Sequence, residues 1–294
     1  MKILMTGANG FVGKNIQSLL SNQYNFESYN FKEPNIINHD VIIHLAGIAH
    51  DFDSKYSLND YISVNTDLTI DIYNKFLKSN ASTFIFLSSI KSVCDSSNNI
   101  ITENSICNPK SFYGQSKYLA EKYILDNLDN TKRVIILRPT MLHGPNNRGN
   151  LNLLYNYINK NLPWVLCKYD NNRSFCYIEN LTFVINEIIL NKYFKSGVYN
   201  VSDNDPISTN NLVKLIADSL NKKIIFYYVP KLFIKYLAII GDFLKLPFNT
   251  NRLKKLTENY IVSNSKLIKE LKKDLPFTSK AGFVKTFQFF NTNI

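Results

Sequence analysis

Lys2-Ile3-Leu4-Met5-Thr6-Gly7-Ala8-Asn9-Gly10-Phe11-Val12-Gly13 is the stretch whose reading decides the fold. Lys2 to Met5 reads as a short apolar strand, and an amphipathic helical run follows the last glycine as far as Leu20. Gly7, Gly10 and Gly13 keep the spacing Gly-x-x-Gly-x-x-Gly at the junction between them. Glycines placed there let the backbone turn sharply and approach a pyrophosphate, which rests on the helix N-terminus. The spacing alone would also fit an ordinary turn. Strand before and helix after point instead to a dinucleotide, with Gly7, Asn9, Gly10, Phe11, Val12 and Gly13 as its binding loop.

The chain downstream continues this unit. A second strand is expected from Phe26 to Phe31, where dinucleotide-binding folds place an acid against the adenosine ribose. Asn30 occupies that place and Lys32 follows, which favours the 2′-phosphate of NADP(H) over NAD(H); Glu27 or Glu33 would supply the acid in another register. Pro34 to Asp40 is too short for a full strand–helix unit, so the adenine pocket should be shallow. Further strands are expected at Val41 to Ala46, Thr83 to Leu87 and Arg133 to Arg138, with a long helix over 58–79 that includes Asn65. Such alternation predicts an α/β fold, a Rossmann-like doubly wound parallel sheet. Ligands of these sheets bind beyond the carboxyl ends of the strands. Gly7, Gly47, Ser89 and Pro139 all fall there, with Leu45, Ala46 and Ser88 beside them as cofactor-lining candidates.

Ser111-Phe112-Tyr113-Gly114-Gln115-Ser116-Lys117 reads as helix, which puts Tyr113 and Lys117 on one face. A phenol starts near pKa 10, and a fixed cation beside it is expected to lower that value. Tyr113 could then exchange a proton with a hydroxyl or ketone. A Tyr-x-x-x-Lys pair is common by chance, and its weight here comes from the strand ends that surround it.

From Leu142 the texture changes. Residues 1–145 are expected to form the cofactor domain and 146–294 mainly a smaller C-terminal α/β substrate lobe, with a segment near 173–203 returning to the first. Ser208 should cap a helix running to Leu220. Leu232 to Leu246 reads as a helix apolar on most sides, packing on the lobe; shallow peripheral contact with an anionic membrane is the lesser alternative. The net charge of +11 is mostly lysine, without the gathered basic motif that nucleic-acid binding needs. Four unpatterned cysteines fit reduced thiols, and four scattered histidines offer no metal set. The N-terminus lacks a signal-peptide pattern and no apolar run is long enough to cross a bilayer, so a cytoplasmic protein is expected.

With the glycine loop, His44-Leu45-Ala46-Gly47, Ser88-Ser89 and Tyr113-x-x-x-Lys117 in order, the chain resembles extended short-chain dehydrogenases/reductases. More narrowly, it resembles the NAD-dependent epimerase/dehydratase group acting on nucleotide sugars. Leu137 to Pro145 matches that group's arginine–proline to glycine–proline segment, and Asn172-Arg173-Ser174 its diphosphate-binding arginine segment. The resemblance implies that Ser89 bonds the sugar oxygen, Tyr113 exchanges its proton, and Lys117 holds the nicotinamide ribose and lowers the pKa of Tyr113. It further implies that Asn65 supports the active-site end of the cofactor, and that Arg173, with Asn150 and Arg252, meets the diphosphate of a UDP-sugar. A homodimer through the 58–79 and 111–128 helices is expected on the same ground.

Departures from the group's pattern narrow the reaction. Its 4,6-dehydratases carry an Asp-Glu pair directly after the catalytic Ser/Thr, where this chain has Ile90 and Lys91. Dehydration is therefore not expected. Ser88-Ser89-Ile90-Lys91 is closest to reductases of 4-keto-6-deoxy-N-acetylhexosamine nucleotides, which makes C4 reduction for surface-polysaccharide synthesis the leading expectation. A UDP-sugar 4-epimerase with bound NAD is the alternative, and a catalytically silent NAD(P)-sensing protein is the third.

Overall fold

The computed structural model describes residues 1–30, 38–49, 56–147, 149–246 and 248–293. The chain opens with β1 (Lys2–Thr6), α1 (Phe11–Leu20), β2 (Asn25–Ser28) and β3 (Val41–His44). α2 (Leu58–Tyr61) runs through a π-helical segment (Ile62–Asp67) into α3 (Leu68–Lys78), and β4 (Thr83–Leu87) leads to a short 3-10 turn (Ile90–Ser92). α4 (Phe112–Asp126), β5 (Arg133–Pro139), β6 (Met141–His143), α5 (Asn150–Asn159), β7 (Phe175–Tyr177), α6 (Ile178–Leu190) and β8 (Gly197–Val201) follow. The remainder is helical: α7 (Thr209–Ser219), α8 (Lys231–Phe243), α9 (Thr250–Thr257), α10 (Ser265–Leu271) and α11 (Ser279–Asn293). Ser208 caps α7 by accepting from the Asn211 amide at 3.1 Å, as its sequence predicted.

Six parallel strands form the main sheet in the order β2-β1-β3-β4-β5-β8. The expected doubly wound sheet is therefore present. Its direction of winding reverses between β1 and β3, the crevice where such sheets take their ligands. Strand residues alternate between two cores because successive side chains point to opposite faces. Ile3, Met5, Val41, Ile43, Ile85, Leu87, Ile135 and Leu137 pack with α1, α6 and α10. Leu4, Ile42, Phe84, Phe86, Val134 and Ile136 pack with α3 and α4. Burial on both faces explains why these strands read as continuous apolar runs. A third core joins α5, α7, α8, α9 and α11 around Trp164, Phe283 and Phe287. β6 and β7 pair separately.

β2 stops at Ser28, three residues short of its expected end, so Asn30 lies beyond the strand as an exposed residue. Glu27 sits opposite Leu4 in mid-strand and contacts His39 at 3.0 Å, away from the ribose position. Lys32 and Glu33 lie outside the described residues.

A buried ion pair latches α4 to the sheet. Glu121 takes two bonds at 3.0 Å from Arg138 Nε and one at 2.5 Å from Nη2, and both residues are almost wholly buried. The same carboxylate accepts from the hydroxyls of Ser88 and Ser92, which bracket Ser89. Removing one member of such a pair leaves the other charge uncompensated in low dielectric. Arg138→Met should lower unfolding free energy by about 3–5 kcal/mol in a denaturant titration. Adding Glu121→Gln to it should restore part of that loss; a loss below about 1 kcal/mol for Arg138→Met would show that the pair does not hold the helix.

Candidate active site

The loop after β1 forms a cradle for a phosphate. Gly7 has φ of +68°, and a Cβ on it would stand 2.8 Å from the Ala46 amide nitrogen, so only glycine fits between the ends of β1 and β3. Gly10 is the N-cap of α1 and supplies no side-chain bond, and no acidic residue occupies the first turn. The leading amides of α1 thus lie at the positive end of a helix without a competing carboxylate. Asn9 is exposed beside them, and Phe11 and Val12 pack partly against the core. These residues fit the pyrophosphate of a dinucleotide.

A chain of hydrogen bonds ties that cradle to the next strand end. His44 is fully buried, its Nδ1 is 2.7 Å from Thr6 Oγ1 and its Nε2 is 2.9 Å from Thr69 Oγ1. Thr69 donates to the Asn65 carbonyl, so it accepts from His44 Nε2–H. Thr6 accepts from the Leu45 and Ala46 amides and donates to Nδ1. Burial, with Lys117 adding to it, pushes His44 down to about 3, which keeps the ring neutral and the order of donors fixed. Asn65, in the π-helical segment, uses its side chain within the protein: it bonds both backbone groups of Ile48 and the Ser116 hydroxyl. It thereby braces the segment from Gly47 to Ile48 at the end of β3. A π-helical turn at such a site is a recurring feature.

Tyr113 and Lys117 share the first turns of α4, whose N-cap Ser111 is held by Asp95 through the Ser111 amide at 2.8 Å and hydroxyl at 2.7 Å. Gly114 lets this helix come against the turn after Ser89; a Cβ there would meet the Lys91 carbonyl at 2.4 Å. Lys117 is buried, donates to the Leu87 carbonyl at 3.0 Å and lies 4.8 Å from the centre of the Phe86 ring. Its ammonium also stands 3.2 Å from where a Cβ on Gly47 would be, at the end of β3. Burial lowers Lys117 to about 8, with Glu121 opposing. Tyr113 departs from the sequence expectation. Burial raises its phenol above the ordinary value, the Ser89 hydroxyl pulls it back, and Tyr61 and Glu121 add to the rise. Lys117 has no share in that shift, because its ammonium is turned to Leu87 and Gly47.

Beyond Ser89 lies a group of cations that only the folded chain assembles. Lys255 is pushed down by burial and by Lys91, Arg252 and Arg173 together, with Asp95 the one opposing anion. Lys91 and Arg173 both lie near the Tyr260 ring, at 5.7 and 5.8 Å from its centre. Arg173 is not on an edge: its backbone pairs with both Ile207 and Tyr260, and its guanidinium also donates to the Lys255 carbonyl. Sequence reasoning found Arg173 and Arg252 and missed Lys91, Lys255 and Tyr260 as members of this group. No local pattern marks those three. Ser88 follows β4 and Pro139 ends β5, both buried, while Asn150 opens α5. Among the described residues, no helix is long and apolar enough to cross a membrane, and no cluster of His, Cys, Asp and Glu could hold a metal.

Comparison with known proteins agrees with this geometry. A UDP-glucose 4-epimerase of Vibrio cholerae is 30% identical over 253 residues, covering 75% of this chain and 76% of its own. An N-acetyl-α-D-glucosaminyl-diphospho-ditrans,octacis-undecaprenol 4-epimerase of Escherichia coli O157:H7 is 27% identical over 251 residues, 78% of this chain and 75% of its own. The structure of a UDP-glucuronic acid 4-epimerase from Bacillus cereus in complex with NAD superimposes with a TM-score of 0.76 at 17% identity, covering 99% of both chains. The model of the NAD dependent epimerase/dehydratase family matches residues 28–202, more than half of the sequence. On that match and the Vibrio relative, the chain belongs to the NAD-dependent epimerase/dehydratase family of extended short-chain dehydrogenases/reductases.

Proposed function

We propose that this protein carries out hydride chemistry at C4 of a diphosphate-linked sugar, with Ser89, Tyr113 and Lys117 as its catalytic residues. The observation that carries the reading is their meeting at the carboxyl edge of the sheet, between the phosphate cradle and the cation group. Gly47 and Lys117 would border the nicotinamide, a group whose chemistry when bound is to give or accept a hydride. Ser89 would bond the C4 oxygen and orient it. Tyr113 would give its proton to that oxygen as C4 becomes a carbinol, or take one in the reverse sense. Lys117, one turn along the same helical face, would hold the nicotinamide ribose with the ammonium that faces Gly47. Arg173, Arg252, Lys91 and Lys255 suit the diphosphate, since several neighbouring cations can share two phosphate groups. Gly7, Gly10 and Gly13 would frame the cofactor's own pyrophosphate.

Net reduction of a UDP-4-keto-6-deoxy-N-acetylhexosamine is the direction that the chain's own residues favour. Burial holds the Tyr113 phenol protonated, so it can give its proton to the C4 oxygen in reduction, a step that the epimerase reading shares. The adenosine side ends at a short edge strand with exposed Asn30 beyond it, which suits a cofactor exchanged at every turnover and NADPH over NADH. Ile90 and Lys91 leave no acid–base pair for dehydration. Epimerisation at C4 with retained NAD is the second reading, and the names of both curated relatives favour it. A homodimer through the α3 and α4 faces is part of the same proposal.

Incubation with the 4-keto sugar nucleotide should oxidise NADPH stoichiometrically. No oxidation of either reduced cofactor, together with interconversion of UDP-GlcNAc and UDP-GalNAc without added cofactor, would establish the epimerase instead. Tyr113→Phe should cut turnover by about 10²–10⁴-fold while sparing cofactor affinity in a fluorescence titration. Lys117→Met should abolish turnover yet raise the thermal midpoint at pH 7, because a buried ammonium is costly. The native lysine falls to about 8 on folding, so its cost is full below that pH and fades as pH rises toward the unfolded value near 10.4. The gain from Lys117→Met should shrink over that window; a gain that grows with pH would contradict the assignment.

A further inference from the structure

Ile234, Ala238 and Gly241 are the fully buried residues of α8, with Ile240 partly covered. At about 100° per residue these three make one narrow stripe. Leu232, Phe233, Tyr236, Leu237, Ile239 and Phe243 spread across the opposite side, and all are exposed, Leu232 to 81% and Phe243 to 87%. Lys231 and Lys235 run along one border between the two faces with Asp242 between them, and Lys231 Nζ lies 5.2 Å from the centre of the Tyr169 ring. A helix with two apolar faces needs two partners, and the rest of the chain supplies one. Tyr227 and Tyr228, also exposed, lead into it. Residues 221–257 carry eight Lys or Arg against a single acid, Asp242.

We propose that the outer face of α8 docks on an anionic bilayer, its apolar side chains entering the acyl boundary and Lys231 and Lys235 meeting the phosphate plane. Charge selects this occupant. A second copy of the chain would bring one lysine-rich border against another, whereas anionic headgroups complement it. Tyrosines beside an apolar helix suit the polar–apolar boundary of a membrane. α8 packs against α9, which carries Arg252 and Lys255 of the cation group beside Ser89. The docked face therefore holds that group one helix away from the headgroup plane. Where the C4 reading holds, on which this clause rests, the arrangement admits a sugar diphosphate carried on a lipid.

Co-sedimentation of the full chain with phosphatidylcholine vesicles containing phosphatidylglycerol tests the docking without using turnover. The wild type should pellet with these vesicles, and high salt or pure phosphatidylcholine should weaken binding. Phe233→Ser combined with Phe243→Ser should reduce vesicle affinity about tenfold or more. Its thermal midpoint should change little, since Phe243 is 87% exposed and Phe233 more than half exposed. Lys231→Gln with Lys235→Gln should remove the preference for anionic lipid. The proposal is overturned if the wild type stays in solution, or if the double serine variant pellets equally well. It is also overturned if that variant instead converts a dimer to a monomer in light scattering. Loss of the C4 activity assignment would leave each of these outcomes readable.

Discussion

The pairing of Glu121 with Arg138 is the constraint on which the site depends. One carboxylate, almost out of contact with water, gathers a guanidinium from β5 and hydroxyls from Ser88 and Ser92 on either side of Ser89. It thereby fixes three things at once: the seat of α4 on the sheet, the path of the chain leaving β4, and the height at which Tyr113 faces Ser89. A buried ion pair is a poor source of net stability. Its value here lies in geometry, because neither residue can move without stranding the other.

A second network does the same work on the cofactor side with no net charge. Thr6, His44 and Thr69 form a line of hydrogen bonds in which every donor has one acceptor, and burial keeps the imidazole neutral. The line joins the end of β1 to the end of β3 and to the π-helical turn that carries Asn65. Between the two networks lies Lys117, an ammonium held by a backbone carbonyl and an aromatic face with no carboxylate of its own. Such a group is expensive to bury, and an enzyme retains it where its charge acts on a ligand.

The substrate side is organised differently. Lys91, Arg173, Arg252 and Lys255 come from a turn, a short pairing segment and one helix, and burial together with mutual repulsion depresses Lys255. Like charges gathered beside Ser89 raise the energy of the folded protein, a cost that an anion among them would offset. Lys91 shows the specificity in this arrangement. It stands where dehydratases of the family place an acid, and its ammonium instead engages Asp95, which also holds Ser111, the N-cap of the Tyr113 helix.

The sequence by itself determined the parts whose physics is local. Glycine spacing between a strand and a helix, apolar runs of strand length, the Ser208 cap and the four-residue interval from Tyr113 to Lys117 all act within one or two turns of chain. They sufficed for the sheet, its ligand-binding edge and the family. Tertiary structure alone decided what depends on burial and on distant partners. It turned Lys117 toward Leu87 and raised Tyr113, where spacing had suggested a lowered phenol. It joined Arg173 to Lys255 across 82 residues, made Asn65 a brace for Ile48, and left a wide apolar face of α8 uncovered. Spacing in the chain fixes which side chains can share a face, but the charge each carries is set by the solvent it loses and the neighbours it gains, and both exist only after folding.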